Sequence, residues 1–180
     1  MTSITNLYNK SIILIGFKNV GKTVIGQKLA EKLNKKFVDL DKYIEHHYEA
    51  EHQKKMSCRQ MMLTHGQAYF RELENQLLHE VIELPPCVIA LGGGTPLNEK
   101  NQAILQSHLV IQIIAPRSIT FERIMMQGCP AFFSPDEDAL VTFNRLWDER
   151  EKVYQRLANF SVNNAGSVQQ AVNDLLQYEY

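Results

Sequence analysis

The chain has 180 residues, of which 44% are hydrophobic, so it is long enough for one globular domain with a full core. Its net charge of −1 gives no reason to expect a nucleic-acid or membrane partner, and its three cysteines argue against a disulfide framework. No stretch is long and apolar enough to cross a bilayer, and the N-terminus lacks the apolar segment of a signal peptide. We therefore expect a single cytoplasmic domain over residues 1–180.

A phosphate-loop motif, GFKNVGKT at residues 16–23, follows an apolar run over residues 11–15 that reads as a buried strand. Its two glycines permit backbone angles at which loop N–H groups point inward at an anion. Lys22 then supplies positive charge for the β- and γ-phosphates, and the Thr23 hydroxyl is a ligand for Mg²⁺. A helix with apolar spacing leaves the loop, so the pattern indicates nucleotide-phosphate binding rather than a chance Gly-rich turn.

A short second strand, residues 36–40, leads into two carboxylates, Asp39 and Asp41. If the extended geometry continues, the two side chains point to the same side. One would then support hydrated Mg²⁺, and the other would orient or deprotonate an attacking hydroxyl. The alternative is a pair of solvated acids that cap the next helix, and the local pattern leaves both interpretations open.

The next segment, residues 42–65, is polar and rich in His and Glu, and it predicts short helices that project from the core. The apolar spacing over residues 66–83 predicts a longer helix, which Pro85 and Pro86 end. Arg71 lies on that helix. It is either a surface charge or, with Arg150, part of a fork for a substrate carboxylate, and spacing does not decide between these.

The remaining elements also alternate between strand and helix. They are a strand over residues 87–91 followed by Gly92, Gly93 and Gly94, a strand over 108–115, a helix over 118–126, a loop or lid over 128–138, a helix over 139–158, a short strand over 160–162 and a terminal helix with an apolar stripe over 168–176. The triple glycine is a weak signal alone, but after a buried strand it lets backbone amides approach a ligand.

This alternation predicts an α/β fold with a parallel sheet that helices cover on both faces. Ligands of such sheets bind beyond the C-terminal ends of the strands. The phosphate loop, Asp39, Asp41 and the triple glycine all fall at such ends. The pattern therefore predicts one site to which all of them contribute.

Taken together, the motifs resemble those of the shikimate kinase family, in the same order and over almost the whole chain. The matching residues are the loop at 16–23, the segment 37–41, Gly66, Phe70, Arg71, Glu74, the segment 91–94, Arg150, Tyr154 and Ala158. The resemblance implies a monomeric enzyme that transfers the γ-phosphoryl group of ATP to the 3-hydroxyl of shikimate, on the route to chorismate. It also implies a P-loop NTPase fold like that of nucleoside monophosphate kinases, with a five-stranded parallel sheet, a substrate-binding subregion at about 39–71 and a lid at about 127–138.

The resemblance further implies a role for each site residue, with Lys22 and Asp41 as the catalytic pair. ATP would be bound by Gly16, Phe17, Lys18, Asn19, Val20, Gly21, Lys22, Thr23, Val24 and Arg123, the last lying against adenine. Shikimate would be bound by Asp41, Arg71, Gly92, Gly93, Gly94 and Arg150, with the two arginines on its carboxylate. Mg²⁺ would be held by Thr23 and, through water, by Asp39.

The lid departs from the family pattern. Where the family carries Arg-Pro-Leu-Leu, this chain has Cys-Pro-Ala-Phe at residues 129–132, so the lid arginine is missing. An arginine of this type is worth ~10³-fold or more in rate. Arg145 is the nearest candidate replacement, while Gln67 and Lys152 are milder departures from Glu and Pro. Two further functions therefore stay open: a kinase for another small hydroxylated metabolite, and a non-catalytic nucleotide-binding protein.

Overall fold

The computed structural model describes residues 10–126, 133 and 137–178. Within them, five strands form one parallel sheet in the order β2-β3-β1-β4-β5, which confirms the predicted α/β fold. The central strand β1 pairs in register with β3 and β4, so that Ile12 lies beside Val88 and Leu109. The strands are β1 (Ile12–Ile15), β2 (Phe37–Asp39), β3 (Val88–Ala90), β4 (Leu109–Ile114) and β5 (Phe160–Asn163).

Helices follow every strand. They are α1 (Lys22–Leu33), α2 (Leu40–His52), α3 (Cys58–His65), α4 (Gln67–Ile82), a 3₁₀-helix (Thr95–Leu97), α5 (Glu99–Leu105), α6 (Arg117–Met126), α7 (Ala139–Leu157) and α8 (Val168–Gln177). The sequence analysis did not predict α5. Its signal is Asn98, whose side chain accepts a hydrogen bond from the Lys100 N–H and so caps the helix.

The strand order decides which helices share a face. Right-handed connections send α1 over one face as the chain moves from β1 to β2, and they send the later crossovers over the other face. Accordingly α1 packs against α8, and α4 packs against α5. With both faces covered, all four residues of β1 are fully buried. Burial of each such side chain stabilises the fold by about 1.5–3 kcal/mol relative to exposure. The buried sheet therefore supports the loops at its edge.

In a parallel sheet all the connections leave from the same end, and four of them are the ones considered for the site. The phosphate loop follows β1, α2 follows β2, the triple glycine follows β3 and α6 follows β4. Of the predicted lid at 127–138, residues 127–132 and 134–136 lie outside the described part of the chain. Among the helices that are described, none combines the length and the apolar character that a membrane span requires.

Candidate active site

A cavity of about 540 Å³ lies where these connections meet. It joins residues predicted for the nucleotide with residues predicted for the acceptor. Its walls are formed by Lys18, Asn19, Lys22, Thr23, Asp39, Asp41, Cys58, Arg59, Met62, Leu63, Gln67, Phe70, Arg71, Glu74, Leu91, Gly92, Gly93, Gly94 and Arg150. Six predicted ATP-binding residues do not line it: Gly16, Phe17, Val20, Gly21, Val24 and Arg123. Asp41, Arg71 and Arg150, which come from three different helices, thus face one space.

The phosphate loop depends on its two glycines for its shape. Gly16 and Gly21 have φ values of 136° and 103°, in the left-handed region that side chains rarely adopt. A Cβ at Gly16 would overlap the backbone oxygen of Ile113, and one at Gly21 would overlap the side-chain amide of Asn164. Asn164 is buried and donates a 2.8 Å hydrogen bond to the carbonyl oxygen of Val20. This buried amide holds the loop from the position directly after β5, and no motif in the sequence predicted it.

Lys22 is buried beneath the loop. Its Nζ donates hydrogen bonds to the carbonyl oxygens of Gly16, at 2.9 Å, and Phe17, at 2.7 Å. Burial lowers the pKa of Lys22 to about 8, although the carboxylates of Asp41 and Asp39 oppose the shift. The ammonium group is therefore still mainly charged at neutral pH, and it lies within the loop that phosphates would enter.

Asp39 connects the loop to the second strand. The Thr23 hydroxyl donates a 2.7 Å hydrogen bond to Asp39 Oδ2, and Asp39 Oδ1 accepts the backbone N–H of Lys42 at 3.3 Å. Asp39 thus caps α2 and binds Thr23 at the same time. Hydroxyl and carboxylate oxygens are the ligands that Mg²⁺ prefers, so this pair fits the predicted metal site.

The assumption that the strand continues to Asp41 was wrong. Strand β2 ends at Asp39 and α2 begins at Leu40, so Asp41 lies in the first helical turn. Its carboxylate still faces the cavity, beside the triple glycine, where a Cβ on Gly92 would lie 2.6 Å from Asp41 Oδ1. Burial raises the pKa of Asp41 to about 6, and the charges of Asp39 and Glu74 add to the effect while Lys22 opposes it.

Arg71 is held from two sides and is not simply a surface charge. Its Nη1 donates a 2.7 Å hydrogen bond to Glu74 Oε2, one turn along α4. Glu74 is only 1% exposed, and its other oxygen accepts the hydroxyl of Thr95 at 2.7 Å. A Cβ on Gly94 would overlap the guanidinium group of Arg71. The third glycine of the motif therefore leaves the room that this side chain needs.

Arg150 comes to the cavity from α7. Its guanidinium group lies 5.1 Å from the ring centre of Phe17 and forms a hydrogen bond with the side chain of Tyr154. Burial lowers the pKa of Arg150 from its ordinary value, with Tyr154 opposing the shift. Because the cation stacks on a residue of the phosphate loop, the loop and the acceptor end of the cavity are in direct contact.

Arg123 lies on α6, at the outer side of the phosphate loop. Its Nη1 donates to the carbonyl oxygen of Asn19 at 3.4 Å, and the Asn19 side chain donates to the carbonyl oxygen of Arg123 at 3.2 Å. These reciprocal bonds join the start of the nucleotide site to α6. Arg123 does not line the cavity, and its contact with adenine stays a prediction.

A buried polar network supports the acceptor end, and sequence reasoning missed most of it. Asn101 donates to the carbonyl oxygen of Thr95 at 2.8 Å and accepts the amide of Asn75 at 2.7 Å. With the Thr95–Glu74 bond, these contacts lead from α5 to Arg71. The available signal was the adjacent polar pair Glu74 and Asn75, which interrupts the apolar face of α4.

Arg145, the candidate replacement for the lid arginine, is engaged elsewhere. Its guanidinium group lies 3.2 Å from Glu137 Oε2 and 3.6 Å from Glu149 Oε1, and it does not line the cavity. Of the two milder departures, Gln67 lines the cavity and Lys152 does not. The segment 129–132, which replaces Arg-Pro-Leu-Leu, lies outside the described residues.

Several known proteins similar to this chain are shikimate kinases. A family model described as shikimate kinase matches residues 18–178. The shikimate kinase of Sulfurihydrogenibium sp. is 33% identical over 156 residues, which are 86% of this chain and 87% of that protein. Among solved structures, shikimate kinase from Acinetobacter baumannii in complex with shikimate aligns with a TM-score of 0.82 at 24% identity, covering 94% of this chain and 92% of that one. The shikimate kinase from Bacteroides thetaiotaomicron aligns with a TM-score of 0.77 at 27% identity, covering 92% and 95%.

Proposed function

We propose that this chain, which belongs to the shikimate kinase family, transfers the γ-phosphoryl group of ATP to the 3-hydroxyl of shikimate. One observation carries the proposal. Lys22 and Thr23 of the phosphate loop share a cavity with Asp41, Arg71 and Arg150. A donor phosphate and a carboxylated acceptor can therefore occupy one space, which is the first requirement for direct transfer.

The acceptor end of the cavity suits a small polyhydroxylated anion. Two guanidinium groups, of Arg71 and Arg150, match a carboxylate in charge and in fork geometry. The carboxylate of Asp41 accepts hydrogen bonds from hydroxyl groups. The triple glycine leaves room for both, because a Cβ at Gly92 or Gly94 would meet Asp41 or Arg71.

Phosphoryl transfer needs alignment and positive charge more than covalent chemistry from the protein. Lys22 would exchange its bonds to the loop carbonyl oxygens for bonds to the β- and γ-phosphates. Asp41, mostly ionised at neutral pH, would orient the 3-hydroxyl and take its proton. Thr23 and, through water, Asp39 would hold Mg²⁺, which supplies neutralising charge between the phosphates. The enzyme would act as a monomer in the cytoplasm.

The test is an ADP-release assay with and without shikimate. The proposal predicts shikimate-dependent ADP production that Asp41→Asn and Arg71→Ala each abolish or reduce by at least about 10²-fold. Arg156→Ala is the matched control, since Arg156 is exposed on α7 and contacts Gln102. The absence of shikimate-dependent ADP production would reject the proposal.

The same assay separates the two alternatives. A panel of sugar acids and cyclitols would reveal a kinase for another hydroxylated metabolite. The missing lid arginine and the cavity-lining Arg59 are the observations that favour this alternative. ATP binding without transfer to any member of the panel would identify a non-catalytic nucleotide-binding protein. The intact set of Lys22, Thr23, Asp39 and Asp41 speaks against that outcome.

A further inference from the structure

This chain lacks the lid arginine that the family pattern places near the transferring phosphoryl group. Residues 127–138, where the family pattern puts an arginine, contain three acids and neither Lys nor Arg. Phosphoryl-transfer enzymes gain about 10³–10⁵-fold in rate from an arginine over the phosphoryl oxygens. A cation that takes this role would have to come from another part of the molecule.

Five cations line the cavity within the described residues, and at least four of them already interact with other residues. Arg71 is bound to Glu74, and Arg150 is bound to Tyr154 and stacked on Phe17, so both are fixed at the acceptor end. Lys22 is buried against the loop carbonyl oxygens. Arg59, on α3, has interactions of its own, so Lys18, in the phosphate loop, is the candidate that remains.

Lys18 stands where the two halves of the cavity meet. Its backbone nitrogen lies 3.3 Å from the position that a Cβ on Gly93 would take, so the phosphate loop touches the triple glycine at this residue. Gly93 is also the residue whose carbonyl oxygen accepts the Tyr154 hydroxyl, beside Arg150. A group bound at this junction has the nucleotide phosphates on one side and the acceptor on the other.

The side chain of Lys18 is suited to act there. It is exposed and lines the cavity, and its positive charge is close enough to Lys22 to contribute to lowering the pKa of that residue. A lysine presents a compact ammonium group on a flexible four-carbon stem, which lets it follow a moving phosphate as a point charge. Arg59 sits on a different element, α3, and has interactions of its own.

We propose that Lys18 is a further catalytic residue whose ammonium group contacts the γ-phosphoryl oxygens during transfer and takes the place of a lid arginine. The inference rests on the proposed kinase function. In the step, the bond from the bridging oxygen to the γ-phosphorus breaks as the bond from the acceptor oxygen forms, and the hydroxyl proton passes to Asp41. Lys18 stays protonated throughout, and its charge stabilises the oxygens that carry the developing charge.

The experiment compares Lys18→Met, Lys18→Arg, Arg59→Met and Lys28→Met with the unchanged protein. Lys28 is exposed on α1 and away from the cavity, so its variant is the charge-matched control. For each protein, kcat and the KM for shikimate are measured at saturating ATP, and the Kd for ADP is measured by calorimetry. ADP lacks the γ-phosphate, so its Kd reports the folded nucleotide site without the contact that is proposed.

Lys18→Met is expected to lower kcat by about 10²-fold or more while the Kd for ADP changes by less than about threefold. Lys18→Arg should recover most of the lost kcat, and Lys28→Met should behave like the unchanged protein. A kcat for Lys18→Met within about threefold of the unchanged protein would overturn the inference. So would an equal loss of ADP affinity and kcat, or a large loss of kcat in Arg59→Met alone.

These outcomes separate the inference from the function on which it rests. If the unchanged protein produces no shikimate-dependent ADP, the proposed function fails and the role of Lys18 fails with it. If the unchanged protein is active and Lys18→Met is equally active, only the role of Lys18 fails.

Discussion

The hydroxyl of Tyr154, on α7, donates a 2.5 Å hydrogen bond to the carbonyl oxygen of Gly93 in the triple glycine. The same side chain forms a hydrogen bond with Arg150. Burial raises the pKa of Tyr154 to about 12, so the phenol keeps its proton and remains a donor over the whole working range of pH. One side chain thus couples the backbone of the acceptor pocket to one of the two guanidinium groups.

Tyr154→Phe is expected to raise the KM for shikimate about tenfold, because the bond to Gly93 is lost and Arg150 loses a partner. Loss of this buried hydrogen bond should also lower the free energy of unfolding by about 1–3 kcal/mol. Steady-state kinetics and urea unfolding measure the two effects. Tyr43→Phe is the control, since the hydroxyl of Tyr43 makes a long 3.5 Å contact with Glu80. An unchanged KM in Tyr154→Phe would mean that Gly93 and Arg150 keep their positions without it.

Gly94→Ala should weaken shikimate binding more than ATP binding. The new Cβ would overlap the guanidinium group of Arg71, which Glu74 holds in place, so Arg71 must move away from the acceptor. Loss of one charged hydrogen bond corresponds to a rise in the KM for shikimate of about 10–100-fold. Gly166→Ala is the matched control, because nothing lies within 4 Å of a Cβ at that position. Equal KM values for the two variants would contradict the close approach of Gly94 and Arg71.

The rate should depend on pH at both ends of the neutral range. The pKa of Asp41 is raised to about 6, so below that pH the carboxyl group is protonated and cannot accept the proton of the hydroxyl. The kcat/KM for shikimate should therefore fall about tenfold per pH unit below 6. The pKa of Lys22 is lowered to about 8, so the kcat/KM for ATP should fall above that pH as the ammonium group loses its charge. A profile that is flat between pH 5 and 9 would contradict both assignments.

Asp41→Asn should make the protein more stable at neutral pH while it removes activity. The folded-state pKa of Asp41 is about 6 and its ordinary value is 3.8, so ionisation is harder in the folded state and costs stability above pH 6. The cost shrinks as the pH falls through 6 and disappears only below about 3.8, where both states are protonated. Thermal unfolding should show a Tm gain of a few degrees at pH 7.5 that shrinks at pH 4.5. Asp174→Asn, at an exposed position of α8, is the control, and a lower Tm for Asp41→Asn at pH 7.5 would contradict the account.

The fold could be predicted from the sequence because its signals are local. Apolar runs such as residues 12–15 and 109–114 mark strands buried on both faces, and glycines 16 and 21 mark a turn that side chains would obstruct. The short helix α5 was missed because its amphipathic pattern spans only seven residues. The end of β2 was also misplaced, because the local pattern left open whether the acids cap the next helix, as Asp39 does.

The site was harder to predict because its contacts are distant in sequence. Spacing did not decide whether Arg71 and Arg150 were surface charges, since their approach depends on how α4 and α7 cross the same end of the sheet. The supporting residues Thr95, Asn101 and Asn164 carry no motif of their own, and their roles appear only in the folded contacts.

The central claim is that one cavity aligns a carboxylated acceptor with the phosphates of ATP. A crystal structure with ADP, Mg²⁺ and shikimate tests it most directly. The account predicts the shikimate carboxylate on Arg71 and Arg150, the 3-hydroxyl at Asp41, and the ADP β-phosphate within the loop at residues 16–23. Shikimate bound at any other place, or bound with its 3-hydroxyl away from Asp41 and the phosphates, would contradict the account.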